Sequence, residues 1–179
     1  MLQIPVPSVD LDKLRSHIKD VPDFPKPGIL FRDIGPLLRH QFSETIQAMA
    51  GLLTPAEWDG IDVIGGIESR GFILAAGLAA MKRKGFVKIR KPGKLPGDVV
   101  KESYTLEYGE DALEIQRGQG AMLLIDDVLA TGGTFKAAAN VAASAGYNVC
   151  GLACLVNLAF LNQFEWRGQR ARTLVTYEN

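Results

Sequence analysis

The chain has 179 residues and a formal net charge of zero, with 20 Lys and Arg residues against 20 Asp and Glu residues. This length is enough to bury a core in one domain without disulfides or metal staples, and the balanced charge provides no surface suited to nucleic acid. No stretch reaches the roughly eighteen apolar residues of a membrane span. We therefore expect a single domain over residues 1–179, located in the cytoplasm and without a membrane or nucleic-acid partner.

The N-terminal part combines one helical pattern with a proline-rich break. Apolar residues at helical spacing predict a helix over residues 10–19, capped by Ser8 or Asp10. The segment 21–28 contains too many prolines for regular structure. Residues 29–34 then predict a short strand or one arm of a hairpin, although a surface loop with incidental apolar residues is the alternative.

Two helices and a strand are predicted next. Ser43 is expected to begin a scaffold helix that ends near Thr54. Residues 61–67 predict a buried strand, and residues 68–71 turn from it into a second helix. The residues expected to face inward are Ile46, Met49, Ala50 and Leu53 in the first helix, and the mostly small Ile73, Ala76, Gly77 and Ala80 in the second.

A strand at residues 86–90 leads into a loop, 91–97, in which glycines and prolines flank Lys94. A lysine on such a mobile loop can reach an anionic leaving group, although charged loop residues are more often simply solvated. Alternating apolar and polar residues from Glu102 to Ile115 then predict an exposed hairpin.

The most informative stretch runs from Ala121 to Thr134. Five consecutive apolar residues, 121–125, predict a strand buried on both faces, which Asp126 and Asp127 would cap. The small-residue loop 130–134 follows, and a helix over residues 134–145 begins directly after it. Loop amides at a helix N-terminus bind phosphate, while nearby carboxylates bind sugar hydroxyls or hydrated Mg²⁺. The predicted ligand is a sugar phosphate.

Two more strands complete the predicted sheet, one over residues 148–156 and one over residues 172–177. Cys150 and Cys154 lie about 13 Å apart in such a strand, beyond disulfide reach, and are expected to be buried small hydrophobic residues. The segment 157–170 has no readable pattern. Strands that alternate with helices predict an α/β fold with a mainly parallel sheet, whose strand C-terminal ends carry the anion-binding loops.

The sequence from the strand through Asp126, Asp127 and the loop resembles the phosphoribosyl-diphosphate signature of the type I phosphoribosyltransferases. A Walker B strand is the nearest alternative, but the chain lacks a Gly-x-x-x-x-Gly-Lys-Ser/Thr loop. The resemblance implies that Asp126 and Asp127 bind the ribose and lie near Mg²⁺, which is held mainly through the substrate. It implies a 5-phosphate loop formed by Ala130, Thr131, Gly132, Gly133 and Thr134.

A second motif, Phe-Pro-x-Pro-Gly-Ile-Leu-Phe-Arg-Asp-Ile at residues 24–34, is similar to the N-terminal hood of the adenine-specific members of this family. The resemblance places the hood at about residues 20–38. In that family the hood covers the purine, which implies that Leu30 and Arg32 flank adenine. Leu30 backbone groups would then read the Watson–Crick edge of the base.

Two further motifs match the diphosphate side of the family site. Glu-Ser-Arg-Gly at 68–71 occupies the place of the diphosphate loop, which usually has Asp at position 68. Ser-Tyr-x-Leu-Glu-Tyr-Gly at 103–109 is similar to the catalytic loop, and the flexible part would span about residues 94–109. The resemblance implies diphosphate contacts from Ser69, Arg70, Lys94 and Tyr108, and implies that Glu107 is the catalytic acid or base.

The resemblance therefore implies a purine salvage enzyme that converts adenine and 5-phosphoribosyl 1-diphosphate to AMP and diphosphate, with Mg²⁺ as cofactor and a homodimer as the assembly. Two alternatives stay open. A transferase for hypoxanthine, guanine, xanthine or orotate would share the 121–134 motif and differ in the hood. A phosphoribosyl-diphosphate-sensing regulator would share the same motif, but it would also need a nucleic-acid-binding face, which the sequence does not show.

Overall fold

The computed structural model describes residues 9–106 and 109–179, with the side chains of 104–106 and 109–111 left out. The chain divides into two compact units, Met1–Ala48 and Met49–Asn179. Among the described residues, no helix is both long enough and apolar enough to cross a bilayer.

The first unit contains short elements. They are α1 (Leu11–Ser16), β1 (Lys19–Val21), β2 (Phe31–Asp33), α2 (Gly35–His40) and most of α3 (Phe42–Ala50). The predicted cap of α1 is confirmed, because the Asp10 carboxylate accepts a hydrogen bond from the Lys13 amide at 3.0 Å. The hairpin arm is also confirmed, since β2 pairs antiparallel with β1, a strand that was not predicted from the sequence.

The helix predicted from Ser43 to Thr54 is shorter than expected. It ends at Ala50, and Thr54 instead caps a separate helix, α4 (Pro55–Asp59). Thr54 and Glu57 form a capping box in which each side chain accepts a hydrogen bond from the other residue's backbone amide. Of the predicted inward residues, Ile46, Met49 and Ala50 are buried and Leu53 is half-buried.

The second unit is built on a parallel sheet. Its further elements are β3 (Val63–Ile67), α5 (Arg70–Lys82), β4 (Gly85–Ile89), β5 (Val99–Leu106), β6 (Gly109–Gln116), β7 (Gly120–Leu129), α6 (Gly133–Ser144), β8 (Tyr147–Leu158), a 3₁₀ turn (Ala159–Leu161) and β9 (Arg172–Tyr177). Five strands form the sheet in the order β4-β3-β7-β8-β9, and every neighbouring pair is parallel. The predicted α/β class is therefore confirmed.

Helices α5 and α6 and the antiparallel hairpin β5–β6 cover the sheet. Helix α5 packs on β3 and β7, whereas α6 packs on β7, β8 and the hairpin. Phe135 of α6 and Ile115 of β6 join Met122 and Leu124 of β7 in one buried core. The base of the hairpin thus belongs to the same packed unit as the central strand.

The structure corrects three sequence-based predictions in this unit. Helix α5 buries Leu74, Ala75, Leu78 and Ala79 instead of the predicted face, and Ile73 is 44% exposed. Strand β7 does not end before the acidic pair but continues to Leu129. Both cysteines are free as predicted, but only Cys154 is buried, because the Cys150 side chain reaches the surface.

Candidate functional site

Three glycine-bearing loops follow three adjacent strands of the sheet. Loop 68–71 follows β3, loop 90–97 follows β4, and loop 130–133 follows β7. Since β3 lies between β4 and β7 and all three are parallel, their C-terminal ends meet at one edge of the sheet. After β3, the chain forms β4 on one side of it and β7 on the other, so the strand order reverses at β3. Open α/β sheets bind ligands at such a reversal.

The acidic pair lies inside the end of β7 and not beyond it. Asp126 is 6% exposed and Asp127 is 5% exposed, so both are buried, whereas the sequence predicted that they only cap the end of the strand. One Asp126 carboxylate oxygen accepts a hydrogen bond from the Asp127 amide at 2.8 Å. Asp127 forms an ion pair with Arg70, with 2.8 Å between the two side chains.

The start of α5 touches the same acidic pair. A Cβ atom on Gly71 would lie 2.9 Å from an Asp126 carboxylate oxygen and 2.9 Å from the Ile125 carbonyl oxygen. Only glycine permits this close approach. Two consecutive residues, Arg70 and Gly71, therefore bring the predicted diphosphate loop against the predicted ribose-binding carboxylates.

Burial perturbs the protonation of both carboxylates. It raises the pKa of Asp126 well above its usual value, and the neighbouring Asp127 carboxylate raises it further. Burial also raises the pKa of Asp127, although the Arg70 guanidinium opposes that rise. Two adjacent buried carboxylates are costly for stability, and such perturbed groups in a cleft are characteristic of functional sites.

The predicted 5-phosphate loop follows β7 directly. Thr131 is exposed and Thr134 is half-buried, while Gly132 has a φ of +88° and caps the N-terminus of α6. A cavity of about 110 Å³ lies between Asp126 and Phe135 along this loop. Since a water molecule occupies about 30 Å³ in the liquid, the cavity has room for a phosphate group beside the first turn of α6.

The segment 157–170 covers the back of this loop. Phe164 packs so closely on Gly132 that a Cβ atom there would lie 2.5 Å from its ring. Its ring also contacts that of Phe135, with 5.9 Å between the ring centroids. Trp166 donates a hydrogen bond from its indole nitrogen to the Asn140 side chain at 2.9 Å, which attaches the segment to α6.

Glu68 has well-defined partners on the other side of the site. Its carboxylate accepts hydrogen bonds from Arg90 at 2.9 and 3.2 Å and from the Lys91 amide at 2.8 Å. The Arg90 hydrogen bond lowers the pKa of Glu68, so this side chain is ionised at neutral pH. Glu68 therefore joins the predicted diphosphate loop to the loop after β4, while Ser69 next to it is exposed.

The loop that carries Lys94 is anchored through its backbone. The amides of Gly93, Lys94 and Leu95 all donate hydrogen bonds to the carboxylate of Glu114, at 2.7 to 2.9 Å. The Lys94 side chain itself is exposed. The sequence suggests a freely mobile loop at this point, and the structure shows instead a backbone held at three consecutive amides.

The predicted adenine-binding residues lie in the first unit. Leu30 directly precedes β2 and is 46% exposed. Arg32 lies within β2, and its guanidinium pairs with the Asp20 carboxylate on the neighbouring strand. Phe24 and Phe31 pack edge to face beside them, with 5.0 Å between the ring centroids.

Two predicted site residues, Glu107 and Tyr108, lie outside the described residues. In the sequence they fall between the end of β5 and the start of β6. The structure confirms that these two strands pair as a hairpin, but it corrects the prediction that the hairpin is exposed, since Leu113 and Ile115 are buried. The assignments of Glu107 and Tyr108 as catalytic group and diphosphate contact remain predictions.

The described residues contain no group of three or more acidic, cysteine or histidine side chains suited to a metal ion. The donors that are present, Asp126 and Asp127, suit Mg²⁺ in the form in which proteins often hold it, with one or two carboxylates plus substrate oxygens and water. The residues therefore fit a metal that a phosphorylated substrate carries into the site, and do not fit a metal bound by protein ligands alone.

Two residues that shape this site were not predicted from the sequence. Glu114 lies between apolar residues in a predicted hairpin, and an acidic residue inside an apolar run is a weak signal of a buried carboxylate with partners. Phe164 lies in a segment without periodicity, so no pattern in the sequence points to its position behind the predicted phosphate loop.

Comparisons with known proteins find relatives over most of the chain. The phosphoribosyl transferase domain family matches residues 41–163. The chain is 50% identical to an adenine phosphoribosyltransferase of Hydrogenovibrio crunogenus, over 93% of this chain and 97% of that protein. It is also 50% identical to an adenine phosphoribosyltransferase of Bdellovibrio bacteriovorus, over 92% of this chain and 99% of that protein.

Solved structures show the same fold. The crystal structure of adenine phosphoribosyltransferase from Rhodothermus marinus matches with a TM-score of 0.79 and 40% identity, over 93% of this chain and 98% of that one. The Saccharomyces cerevisiae adenine phosphoribosyltransferase, crystallised with an imino-altritol bisphosphate and adenine, matches with a TM-score of 0.82 and 35% identity. That match covers 92% of this chain and 97% of the yeast chain.

Proposed function

The chain belongs to the adenine phosphoribosyltransferases of the type I phosphoribosyltransferase family, which form AMP from adenine and 5-phosphoribosyl 1-diphosphate, and we propose which residues perform each step. The observation that supports the proposal is the junction of three glycine-bearing loops at the ends of β4, β3 and β7, with Arg70 paired to Asp127. This arrangement suits a sugar that carries phosphate at both ends.

We assign the 5-phosphate to residues 130–134 and the ribose hydroxyls to Asp126 and Asp127. The loop amides and the first turn of α6 supply positive potential for the phosphate. The carboxylates supply hydrogen-bond acceptors for the hydroxyls. The cavity along this loop and the exposure of Thr131 support the assignment.

We assign the diphosphate to Ser69, Arg70, Lys94 and Tyr108. As the bond between the anomeric carbon and the diphosphate oxygen breaks, negative charge grows on the leaving group and positive charge grows on the ribose. The guanidinium of Arg70 and the ammonium of Lys94 would stabilise the negative charge on the diphosphate. The carboxylates of Asp126 and Asp127 would stabilise the positive charge on the ribose. Bound Mg²⁺ would supply further positive charge to the diphosphate oxygens.

We assign proton transfer to Glu107. Adenine N9 forms the new bond to the anomeric carbon, and the base must lose one proton overall as the neutral nucleotide base is formed. A carboxylate placed beside the purine imidazole ring would manage that proton. Closure of residues 94–109 over the site would exclude water, which would otherwise hydrolyse the activated sugar.

We assign adenine recognition to the hood residues Leu30 and Arg32. A backbone carbonyl near Leu30 can accept a hydrogen bond from the exocyclic amine, and a backbone amide can donate one to N1. Hypoxanthine reverses both groups and would leave buried polar atoms unpaired, at about 1–3 kcal/mol each. The expected preference for adenine is therefore several hundredfold.

A homodimer is the proposed assembly. Apolar side chains on α5 and the edge strand β4 support it, because Ile73, Met81 and Phe86 are each between 39% and 46% exposed. Such residues in one region favour a protein contact. Size-exclusion chromatography with light scattering tests the assembly, and fractionation of cells tests the cytoplasmic location expected from the sequence.

One assay tests the substrate assignment. Diphosphate release is measured with adenine, hypoxanthine, guanine and xanthine in turn, at saturating 5-phosphoribosyl 1-diphosphate and Mg²⁺. We expect kcat/KM to favour adenine by several hundredfold. A preference below about tenfold, or one for a 6-oxopurine, would refute the hood assignment and leave the phosphoribosyl site standing.

A further inference from the structure

Glu114 is a buried charge that none of the reaction steps above uses. It lies on β6, at the base of the hairpin formed by β5 and β6, and it is 1% exposed. Its backbone forms an antiparallel bridge with Arg90, with hydrogen bonds of 2.7 and 2.9 Å in the two directions. This register points its carboxylate at the loop that follows β4.

The carboxylate makes a dense set of contacts with that loop. One oxygen accepts hydrogen bonds from the Lys94 and Leu95 amides, both at 2.7 Å, and the other accepts from Gly93 at 2.9 Å. Lys101 lies 3.8 Å away on β5. Burial alone would raise the pKa of Glu114, but the three amides and Lys101 together lower it below its usual value. The group is therefore a carboxylate at neutral pH.

A second carboxylate holds the other end of the same loop. Glu68 binds the Arg90 side chain and the Lys91 amide, and Arg90 in turn donates a hydrogen bond to the Lys94 carbonyl at 3.3 Å. The loop is thus fixed at Arg90 and Lys91 by Glu68 and at residues 93–95 by Glu114. The exposed Lys94 side chain is the part that these contacts leave available.

We propose that Glu114 is a positioning residue for the reaction, which holds residues 93–95 so that the Lys94 ammonium is presented to the diphosphate of 5-phosphoribosyl 1-diphosphate. The proposal rests on the assignment of Lys94 to the diphosphate made above. A carboxylate that accepts hydrogen bonds from three consecutive amides fixes the backbone on both sides of Lys94. The lysine therefore has less conformational freedom to lose when substrate binds. Because Glu114 belongs to β6, the same contact joins the lysine loop to the base of the catalytic hairpin.

The kinetic test compares Glu114→Gln, Lys94→Ala and the double variant. Glutamine keeps the size of the side chain, but its NH₂ group cannot accept a hydrogen bond from the Gly93 amide. We expect Glu114→Gln to raise the KM for 5-phosphoribosyl 1-diphosphate about tenfold and to leave the KM for adenine within about twofold. The double variant should be no worse than Lys94→Ala, because Glu114 acts through that lysine.

Glu178→Gln is the control, because Glu178 is an exposed carboxylate outside residues 94–109 and every other segment assigned to the reaction, and it takes the same change of side chain. It should change neither KM. An unchanged KM for the sugar diphosphate in Glu114→Gln would overturn the proposal. So would a double variant whose increase in that KM equals the product of the increases in the two single variants. If Lys94→Ala itself has normal kinetics, the diphosphate assignment fails first and the positioning role fails with it. If Lys94→Ala is impaired and Glu114→Gln has normal kinetics, the assignment of Lys94 to the diphosphate stands and the positioning role of Glu114 is refuted.

Two measurements do not depend on catalysis. Trypsin should cleave the Lys94–Leu95 bond faster in Glu114→Gln than in the unaltered chain, and equal rates would contradict the anchoring. In the unaltered protein, hydrogen exchange at the amides of Gly93, Lys94 and Leu95 should be slower than in a peptide of the same sequence. Exchange at the peptide rate would overturn the proposal even if the variant failed to fold.

Discussion

Arg70 and Asp127 form an ion pair with 2.8 Å between them, where the start of α5 meets the end of β7. The two side chains come from separate motifs, and we assign them to opposite ends of one bond, the diphosphate and the ribose. Their pairing offsets part of the cost of burying Asp127. Asp126 beside it is deeply buried, and its pKa is raised further by its neighbour's carboxylate.

Asp126→Asn should therefore raise stability while it lowers activity. A carboxyl whose pKa is raised on folding binds protons more tightly in the folded state, so stability falls as pH rises above its usual pKa of 3.8. Asparagine does not ionise, so it removes this loss of stability, and its side-chain oxygen can still accept a hydrogen bond from the Asp127 amide. We expect a higher Tm than that of the unaltered chain at neutral pH, with the difference shrinking as the pH approaches 4.

The control is Asp98→Asn, since Asp98 is an exposed carboxylate paired with Arg117. That variant should not gain stability. Binding of 5-phosphoribosyl 1-diphosphate and its dependence on Mg²⁺ are measured on the same samples by calorimetry. An Asp126→Asn variant that melts earlier and binds normally would show that the carboxylate is structural.

Glu107→Gln should lower kcat and leave the binding of 5-phosphoribosyl 1-diphosphate nearly intact. A placed acid or base contributes about 10² to 10⁴ to a rate, and glutamine removes the proton transfer while it keeps the shape of the side chain. The measurement is steady-state kcat together with direct binding of the sugar diphosphate. A loss of less than about threefold in kcat would eliminate the acid or base role.

Glu57→Gln should destabilise the protein in a pH-dependent manner. Hydrogen bonds from Arg172, followed by those of Thr54, lower the pKa of Glu57 from 4.5 to about 2. A lowered carboxylate pKa contributes stability above about 4.5, and that contribution disappears as the pH falls towards 2. We expect a lower urea midpoint for the variant at neutral pH and a smaller difference at pH 3.

The exposed Glu178→Gln, near the C-terminus, provides the comparison for this series. Its midpoint should follow that of the unaltered chain at each pH. A constant difference between Glu57→Gln and the unaltered chain over the whole range would assign the effect to the capping box of α4 and not to the charge.

The sheet was predictable because buried parallel strands leave a strong signal in the sequence. Apolar runs such as residues 121–125 are typical of strands covered on both faces, and β9 begins and ends where predicted. The order of the strands was not predictable, because pairing between distant segments such as β3 and β7 leaves no local pattern. The meeting of the three loops at one edge followed from that order.

Two errors have clear physical causes. From Phe72 to Met81 helix α5 contains only apolar residues and glycine, so no polar stripe marks the face that is buried. Strand β7 continues through Asp126 and Asp127 because its pairing with β8 extends to Leu129 and because Arg70 and a backbone amide compensate the buried carboxylates. Compensation by distant partners cannot be read from local sequence.

The segment that sequence could not interpret supplies the last prediction. Phe164→Ala should weaken binding at the proposed 5-phosphate site, because the Phe164 ring packs directly on Gly132 and contacts Phe135 in the first turn of α6. We expect the KM for 5-phosphoribosyl 1-diphosphate to rise severalfold while the KM for adenine is unchanged. Removal of a partly buried ring should also cost about 2 kcal/mol in the free energy of unfolding.

Phe160→Ala separates a local effect on the loop from a general loss of packing. Phe160 belongs to the same segment and is 50% exposed, so its removal leaves the backing of Gly132 intact. This variant should keep both KM values and most of the stability, as measured by kinetics and urea unfolding. If Phe164→Ala loses stability with no change in the KM for the sugar diphosphate, the ring packs the core without shaping the phosphate loop. If the two variants are indistinguishable, the contact with Gly132 contributes nothing to binding.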